Sequence, residues 1–286
     1  MLTVAPANIA VIGAGTMGRG IGYVAAINGI SVNLIDLDAE RLNNALHQID
    51  HDLNKGIEKG KISTEDKIRA MSKIQPTTDM AKGVDGVEFV IEAVFEDMQL
   101  KKKLFSQMES LVPNSTILGT NTSSLSITDI AQATATPSRV IGMHFFNPPH
   151  IMTLLEIVRG EHTDQTTLER TLKLGQQLHR DCIVVADSPG FATSRLGLVI
   201  GLEAMRMLQE GVAVAADIDR AMELGYRHPM GPLKLTDLVG LDVRLAIAEH
   251  LHREIGEQFR PPAILRRLVR AGKLGKKTGE GFYVWK

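Results

Sequence analysis

Residues 8–36 read NIAVIGAGTMGRGIGYVAAINGISVNLID, and the fold follows from how this stretch is punctuated. Residues 8–13 are a short apolar run rich in β-branched side chains, the pattern of a fully buried strand. Gly13, Gly15 and Gly18 then form G-x-G-x-x-G and open a helix-like stretch that runs to Asn28 and Gly29. Residues 31–35 read as a second strand, ending on Asp36, eighteen residues beyond Gly18. Each part has a physical task. Gly13 permits a tight turn, Gly15 lets the backbone approach a pyrophosphate, and Gly18 lets helix and strand pack closely. The helix start offers unpaired N–H groups and a positive dipole end to phosphates. Asp36 can accept hydrogen bonds from both ribose hydroxyls and would repel a 2′-phosphate, which favours NAD over NADP.

Working outward, residues 39–59 predict a long polar helix, apolar at Leu42, Leu46, Ile49, Leu53 and Ile57 and stopped by Gly60. Ser63-Thr64-Glu65-Asp66 is a capping-type start for a second helix. Strands are expected at 74–77 and 87–94, and Glu96 falls just past the second of these. Carboxyl ends of parallel strands are where ligands collect, so Glu96 is a site candidate. The following helix carries Lys101, Lys102 and Lys103; they are a solvated face, or Lys101 points back to the cofactor. A strand at 116–119 leads into Thr120-Asn121-Thr122-Ser123-Ser124 and a helix at 126–133. The serines there are either helix caps or donors to a substrate oxygen. Strands alternating with helices imply an α/β fold, a Rossmann-type mostly parallel sheet.

Residues 140–160, VIGMHFFNPPHIMTLLEIVRG, carry the chemistry. His144 is expected to emerge from the end of a strand at 140–143. Asn147 and Pro148-Pro149 then force a turn, and Glu156 sits inside a second apolar strand at 154–158. Acids are seldom buried without a partner. A carboxylate beside an imidazole fixes its tautomer and favours its protonated form, as a general base that removes a hydroxyl proton requires.

After a last short strand at 183–185 and the turn Asp187-Ser188-Pro189-Gly190, the pattern becomes helical. We expect a boundary there, with residues 1–188 forming the nucleotide-binding domain and 189–286 an all-α domain for substrate and dimerisation. Residues 196–210 are apolar almost all round, as for a helix buried between helices or subunits. Further helices are expected at 216–224, 235–255 and 263–270. His228 reads as a capping or exposed histidine rather than a second base.

Composition bounds the function. A chain of 286 residues can bury two cores, and a net charge of -1 argues against a nucleic-acid binder. A single cysteine, Cys182, precludes an internal disulfide and fits a reducing compartment. The N-terminal stretch lacks a signal-peptide pattern, and no window has the apolar length of a membrane span. A cytoplasmic protein without membrane or nucleic-acid partners is expected.

The segments VIGAGTMGRGIG, VIEAVFED, NTSSLSIT, RVIGMHFFNPP, LLEIVRG, DSPGFATSRL, HPMGPLKLTDLVGLD and GKKTGEGFY run through essentially the whole chain. In them the chain resembles the L-3-hydroxyacyl-CoA dehydrogenase family. The resemblance implies interconversion of (3S)-3-hydroxyacyl-CoA, of short chain length, and 3-ketoacyl-CoA with NAD, in a homodimer. It implies His144 as catalytic base, Glu156 as its orienting carboxylate and Ser123 as a substrate contact. It implies cofactor contacts at Gly13, Gly15, Gly18, Asp36, Glu96, Lys101, Ser123, Asn147 and Lys277, and a coenzyme A contact at Lys59. Asp52 stands where some members carry a serine for coenzyme A. Ser194 stands in PGFATSR where the family has an asparagine that positions substrate, which bears on rate or substrate preference. The same framework would also suit a dehydrogenase of a small hydroxyacid or sugar acid, or a dinucleotide-binding protein without turnover.

Overall fold

The computed structural model describes residues 8–285, which divide into two compact units between Asp187 and Ser188. The first is built on one eight-stranded sheet. Its strands are β1 (Asn8–Ile12), β2 (Ser31–Ile35), β3 (Ile74–Thr77), β4 (Phe89–Glu92), β5 (Ile117–Thr120), β6 (Val140–Phe145), β7 (Leu154–Arg159) and β8 (Asp181–Ala186). The spatial order is β3-β2-β1-β4-β5-β6-β7-β8. The first six are mutually parallel; β7 runs antiparallel to β6, and β8 follows β7 in parallel. The chain order reverses between β2 and β4 about β1, the switch point where an open α/β sheet leaves a crevice for ligands.

The helices of this unit are α1 (Thr16–Ile27), α2 (Ala39–Glu58), α3 (Thr64–Ser72), α4 (Met80–Gly83), α5 (Met98–Leu111), α6 (Ile127–Ala131) and α7 (Gln165–Gln177). Local chemistry sets their starts. The Asp38 carboxylate accepts from the N–H groups of Glu40 and Arg41, and Ser63 and Asp66 form a reciprocal capping box. Strands buried on both faces supply the core: Ile9, Val11, Val32, Leu34, Phe89, Ile91, Ile117, Ile141 and Met143 pack with Ile21, Val24, Leu42, Ile49 and Leu53 from α1 and α2.

The second unit is helical: α8 (Thr193–Gln209), α9 (Ala215–Gly225), α10 (Pro232–Val239), α11 (Leu241–Glu254) and α12 (Ala263–Arg270). Leu198, Leu202, Met205, Ile218, Leu233, Leu241, Leu251 and Leu265 form its core. Two buried carboxylates organise its C-terminal end. Asp237 accepts from the N–H groups of Phe282 and Tyr283 and from the Trp285 indole, at 2.9, 2.9 and 2.8 Å. Asp219 accepts from the Leu233 and Lys234 N–H groups and from the Tyr283 hydroxyl. Burial, reinforced by Asp219, raises the Tyr283 pKa above the usual phenol range.

Three expectations need correction. Residues 235–255 are not one helix: Gly240, at φ 102°, breaks them into α10 and α11. The helix from Gln165 to Gln177 was not expected at all, since its buried face is partly Thr167, Thr171 and Gly175. His144 lies within β6 rather than beyond its end.

Candidate active site

The glycine turn shows a cradle for phosphates in its sterics. A Cβ on Gly13, which sits at φ +101°, would lie 2.7 Å from the Ala93 carbonyl oxygen, and one on Gly18 would fall 1.7 Å from that of Gly13. A Cβ on Gly15 would meet nothing within 4 Å. Thus two glycines are required by the protein's own packing, while the middle one faces open space. Gly15 caps α1 without a side-chain hydrogen bond, so the first N–H groups of the helix are left for an anion. Asp36 is tied to this turn: its carboxylate accepts from the Ala14 N–H at 2.8 Å and from the Asp38 N–H at 3.2 Å. These features fit a dinucleotide.

At the carboxyl ends of β4 and β5 lies a buried charge cluster. Glu92 and Lys101 are both 0% exposed, and the Lys101 ammonium donates to both Glu92 oxygens at 2.6 and 2.8 Å. Glu92 also accepts from the Thr120 hydroxyl at 2.6 Å and the Val94 N–H at 2.6 Å. The same ammonium is 3.5 Å from Glu96. Glu96 in turn accepts from the Thr122 hydroxyl at 2.6 Å, the Ser123 N–H at 3.0 Å and the Ser123 hydroxyl at 3.3 Å. Lys101 is therefore turned into the protein, between two carboxylates, rather than standing on a solvated face. Sequence reasoning passed over Glu92 and Thr120. The signal was available, since Glu92 interrupts the apolar run VEFVIEAV just as Glu156 interrupts LLEIV.

Along β6 and β7, His144 pairs opposite Glu156 in the antiparallel register, which puts the two side chains on one face. His144 Nδ1 lies 2.7 Å from a Glu156 carboxylate oxygen, with the residues 7% and 0% exposed. The imidazole is further positioned by Phe146, whose ring centroid is 4.4 Å away at an interplanar angle of 45°. The Asn121 side chain accepts from the Phe145 N–H at 2.9 Å and so ties the end of β5 to β6. Asn147 is joined to Pro148 by a cis peptide bond.

Lys59 is exposed and ends α2 as its C-cap residue. It shares a basic neighbourhood with Arg19 and Lys55. Burial lowers the pKa of His150, and these three cations lower it further against the opposing pull of Asp52. In the helical unit, Ser194 lies in the first turn of α8. Lys277 donates to both oxygens of Asp242 at 2.6 Å.

Residues 8–188 match the family model described as 3-hydroxyacyl-CoA dehydrogenase, NAD binding domain, and residues 190–285 match that of the C-terminal domain. The chain belongs to the 3-hydroxyacyl-CoA dehydrogenase family. It is 41% identical over 276 residues to a 3-hydroxybutyryl-CoA dehydrogenase of Clostridioides difficile, covering 96% of this chain and 98% of that one. It is 40% identical over 280 residues to a 3-hydroxyadipyl-CoA dehydrogenase of Escherichia coli, covering 97% of this chain and 59% of that one. The crystal structure of (S)-3-hydroxybutyryl-CoA dehydrogenase PaaH1 from Ralstonia eutropha superposes with a TM-score of 0.95 at 38% identity, covering 99% and 100% of the two chains. The family member described here is thus an NAD-dependent dehydrogenase acting on 3-hydroxyacyl-CoA, with the Rossmann-type and helical units expected. Among the described residues no helix is long and apolar enough to cross a membrane.

Proposed function

We propose that His144 is the general base that removes the proton from the 3-hydroxyl of a short-chain (3S)-3-hydroxyacyl-CoA, 3-hydroxybutyryl-CoA being the reference substrate. The observation that carries this is the 2.7 Å contact between His144 Nδ1 and buried Glu156 on facing strands. With Nδ1 committed to the carboxylate, acid–base work falls to Nε2. Glu156 stabilises the imidazolium formed as the proton arrives; opposite charges about 4 Å apart attract by roughly 4 kcal/mol at the effective dielectric of a protein. A bound NAD would supply the hydride acceptor for C3. In reverse, His144 returns the proton, while Ser123 and Asn147 hold the ketone oxygen.

Gly13, Gly15 and Gly18 would cradle the cofactor's phosphates, and Asp36 would receive its ribose hydroxyls. Glu96 would be a further cofactor contact, with the Lys101 ammonium 3.5 Å from its carboxylate, and Lys277 would add a cationic one. Lys59 serves the coenzyme A moiety, and its basic neighbours support an anionic ligand there. Ser194 positions the substrate with a single hydroxyl in place of an amide. The chain works as a homodimer; exposed Leu196, Ile200, Leu235, Leu238 and Val243 on the helical unit favour such a contact. A cytoplasmic setting goes with the lone Cys182 thiol.

The test is reduction of acetoacetyl-CoA with NADH by His144→Gln. Loss of about 10²–10⁴-fold in kcat is expected. Activity within a few-fold of the unaltered enzyme would refute the base assignment.

A further inference from the structure

The turn between β6 and β7 closes a cavity of about 40 Å³ against α1 and α2, lined by Arg19, Tyr23, Asp52, Asn147 and His150 among others. The turn is built to hold His150 in place. Pro149 packs on Gly20 of α1, where a Cβ would fall 2.7 Å from the proline ring. The Arg180 guanidinium donates to the carbonyl oxygens of Pro149 and Met152, at 3.0 and 2.8 Å, and so clamps the backbone on either side of His150. The His150 ring then leans on Tyr23, with centroids 5.4 Å apart at an interplanar angle of 49°.

The charges around His150 come from both helices. Arg19 and Tyr23 face it from α1, and Asp52, Lys55 and Lys59 from α2. Residues 52, 55 and 59 share one face of α2 and extend over about 10 Å of its length. Tyr23 stays neutral, since burial and Asp52 both raise its phenol. Asp52 is partly engaged by the Gln48 amide, at 3.2 Å. Three cations against one carboxylate leave an excess of positive charge, which joins burial in holding His150 uncharged at neutral pH. The neighbourhood is thus short of an anion.

We propose that His150 binds the phosphate groups of coenzyme A and takes up a proton from solvent as it does so. The inference rests on the reading above in which Lys59 serves the coenzyme A moiety. A phosphate beside the imidazole favours its charged form, which donates a charge-assisted hydrogen bond. The imidazolium is disfavoured in the free protein and favoured in the complex. Affinity is therefore highest at low pH, falls as pH rises through the free protein's value, and levels off above that of the complex. A difference of one pKa unit between the two states is tenfold in affinity. Asn147, which holds the ketone oxygen in that reading, lines the same cavity, so the thioester arm can lead from the reacting carbon to His150.

The experiment measures kcat/KM with NADH for acetoacetyl-CoA and for acetoacetyl-pantetheine, which has no phosphate, from about pH 5.5 to about pH 8.5. Their ratio cancels the titration of His144, which is common to both. The unaltered enzyme should prefer the coenzyme A thioester, and that preference should fall about tenfold across the range, chiefly through KM. The second ionisation of the 3′-phosphate strengthens binding as pH rises and cannot mimic this fall. His150→Gln should abolish the fall, and His150→Lys, a cation at every pH used, should keep the preference without the slope. A preference that is independent of pH in the unaltered enzyme overturns the inference and leaves the coenzyme A reading intact. A slope that survives in His150→Gln overturns it as well. Equal use of the two thioesters at every pH would instead refute the coenzyme A contact at Lys59, and the inference with it.

Discussion

Replacing Lys101 by Met should unfold the sheet unit more readily than any surface change, and the size of the effect can be worked from the buried pair. Glu92 and Lys101 are fully enclosed and joined by two short hydrogen bonds of 2.6 and 2.8 Å. Deleting the cation leaves a carboxylate inside the protein with only the Thr120 hydroxyl and the Val94 N–H. Removing one partner of a buried pair costs about 3–5 kcal/mol. For a unit of this size each kcal/mol moves Tm by roughly 2–4 °C, so a fall of about 6–20 °C is expected. Changing Glu92→Gln together with Lys101→Met removes both charges; the amide oxygen still accepts from the Val94 N–H while its NH2 donates to the Thr120 hydroxyl oxygen, and most of that loss should be recovered. Calorimetric unfolding of the two variants measures this. The double variant should regain its Tm yet still reduce acetoacetyl-CoA about tenfold less well, because Glu96 has lost the cation that steadies it and, through it, the Ser123 hydroxyl. The reasoning fails if Lys101→Met unfolds within about 1 kcal/mol of the unaltered protein, or if the double variant is no more stable than the single.

Asp36→Ala should raise KM for NADH by about 10–100-fold and narrow the preference over NADPH, since it removes the ribose acceptor and the charge that repels a 2′-phosphate. Steady-state kinetics with both cofactors check this; an unchanged NADH-to-NADPH ratio would count against Asp36 as the selector. Glu109 links stability to pH. Burial pushes its pKa up, but the N–H groups of Ala135 and Thr136 and the Arg139 guanidinium outweigh this and hold it below the ordinary value. Its stabilisation is therefore complete above the unfolded-state pKa and is lost as pH falls through the lower folded value. The gap in urea midpoint between the unaltered protein and Glu109→Gln should be widest near neutral pH and close below about pH 4; a gap independent of pH would contradict the assignment.

Much of this was legible in the sequence because the signals were local. The glycine turn and Asp36 lie within one β-α-β unit, and the Ser63–Asp66 capping box within one helical turn. Glu156 betrayed itself as an acid in an apolar run, and His144 proved to be its neighbour in the sheet. What was missed depended on partners distant in sequence or on weak periodicity. The helix from Gln165 to Gln177 buries threonines and a glycine, which blur the apolar period. Gly240 looked like one glycine in a helical pattern, and only its backbone conformation of φ 102° reveals the break. Lys101 read either as part of a solvated lysine run or as pointing to the cofactor; its pairing with Glu92 was not legible, because Glu92 is nine residues away on a strand.

The antiparallel turn of β7 onto β6 has a consequence for how the dyad is encoded. Parallel neighbours would have required a crossover of a dozen or more residues, whereas here residues 146–153 suffice to bring Glu156 opposite His144. Imidazole and carboxylate are thus inherited together as a single hairpin. A one-residue slip along that ribbon would send the acid to the sheet's other side, so the chemistry polices the alignment of two strands that hydrophobicity by itself would leave free to slide.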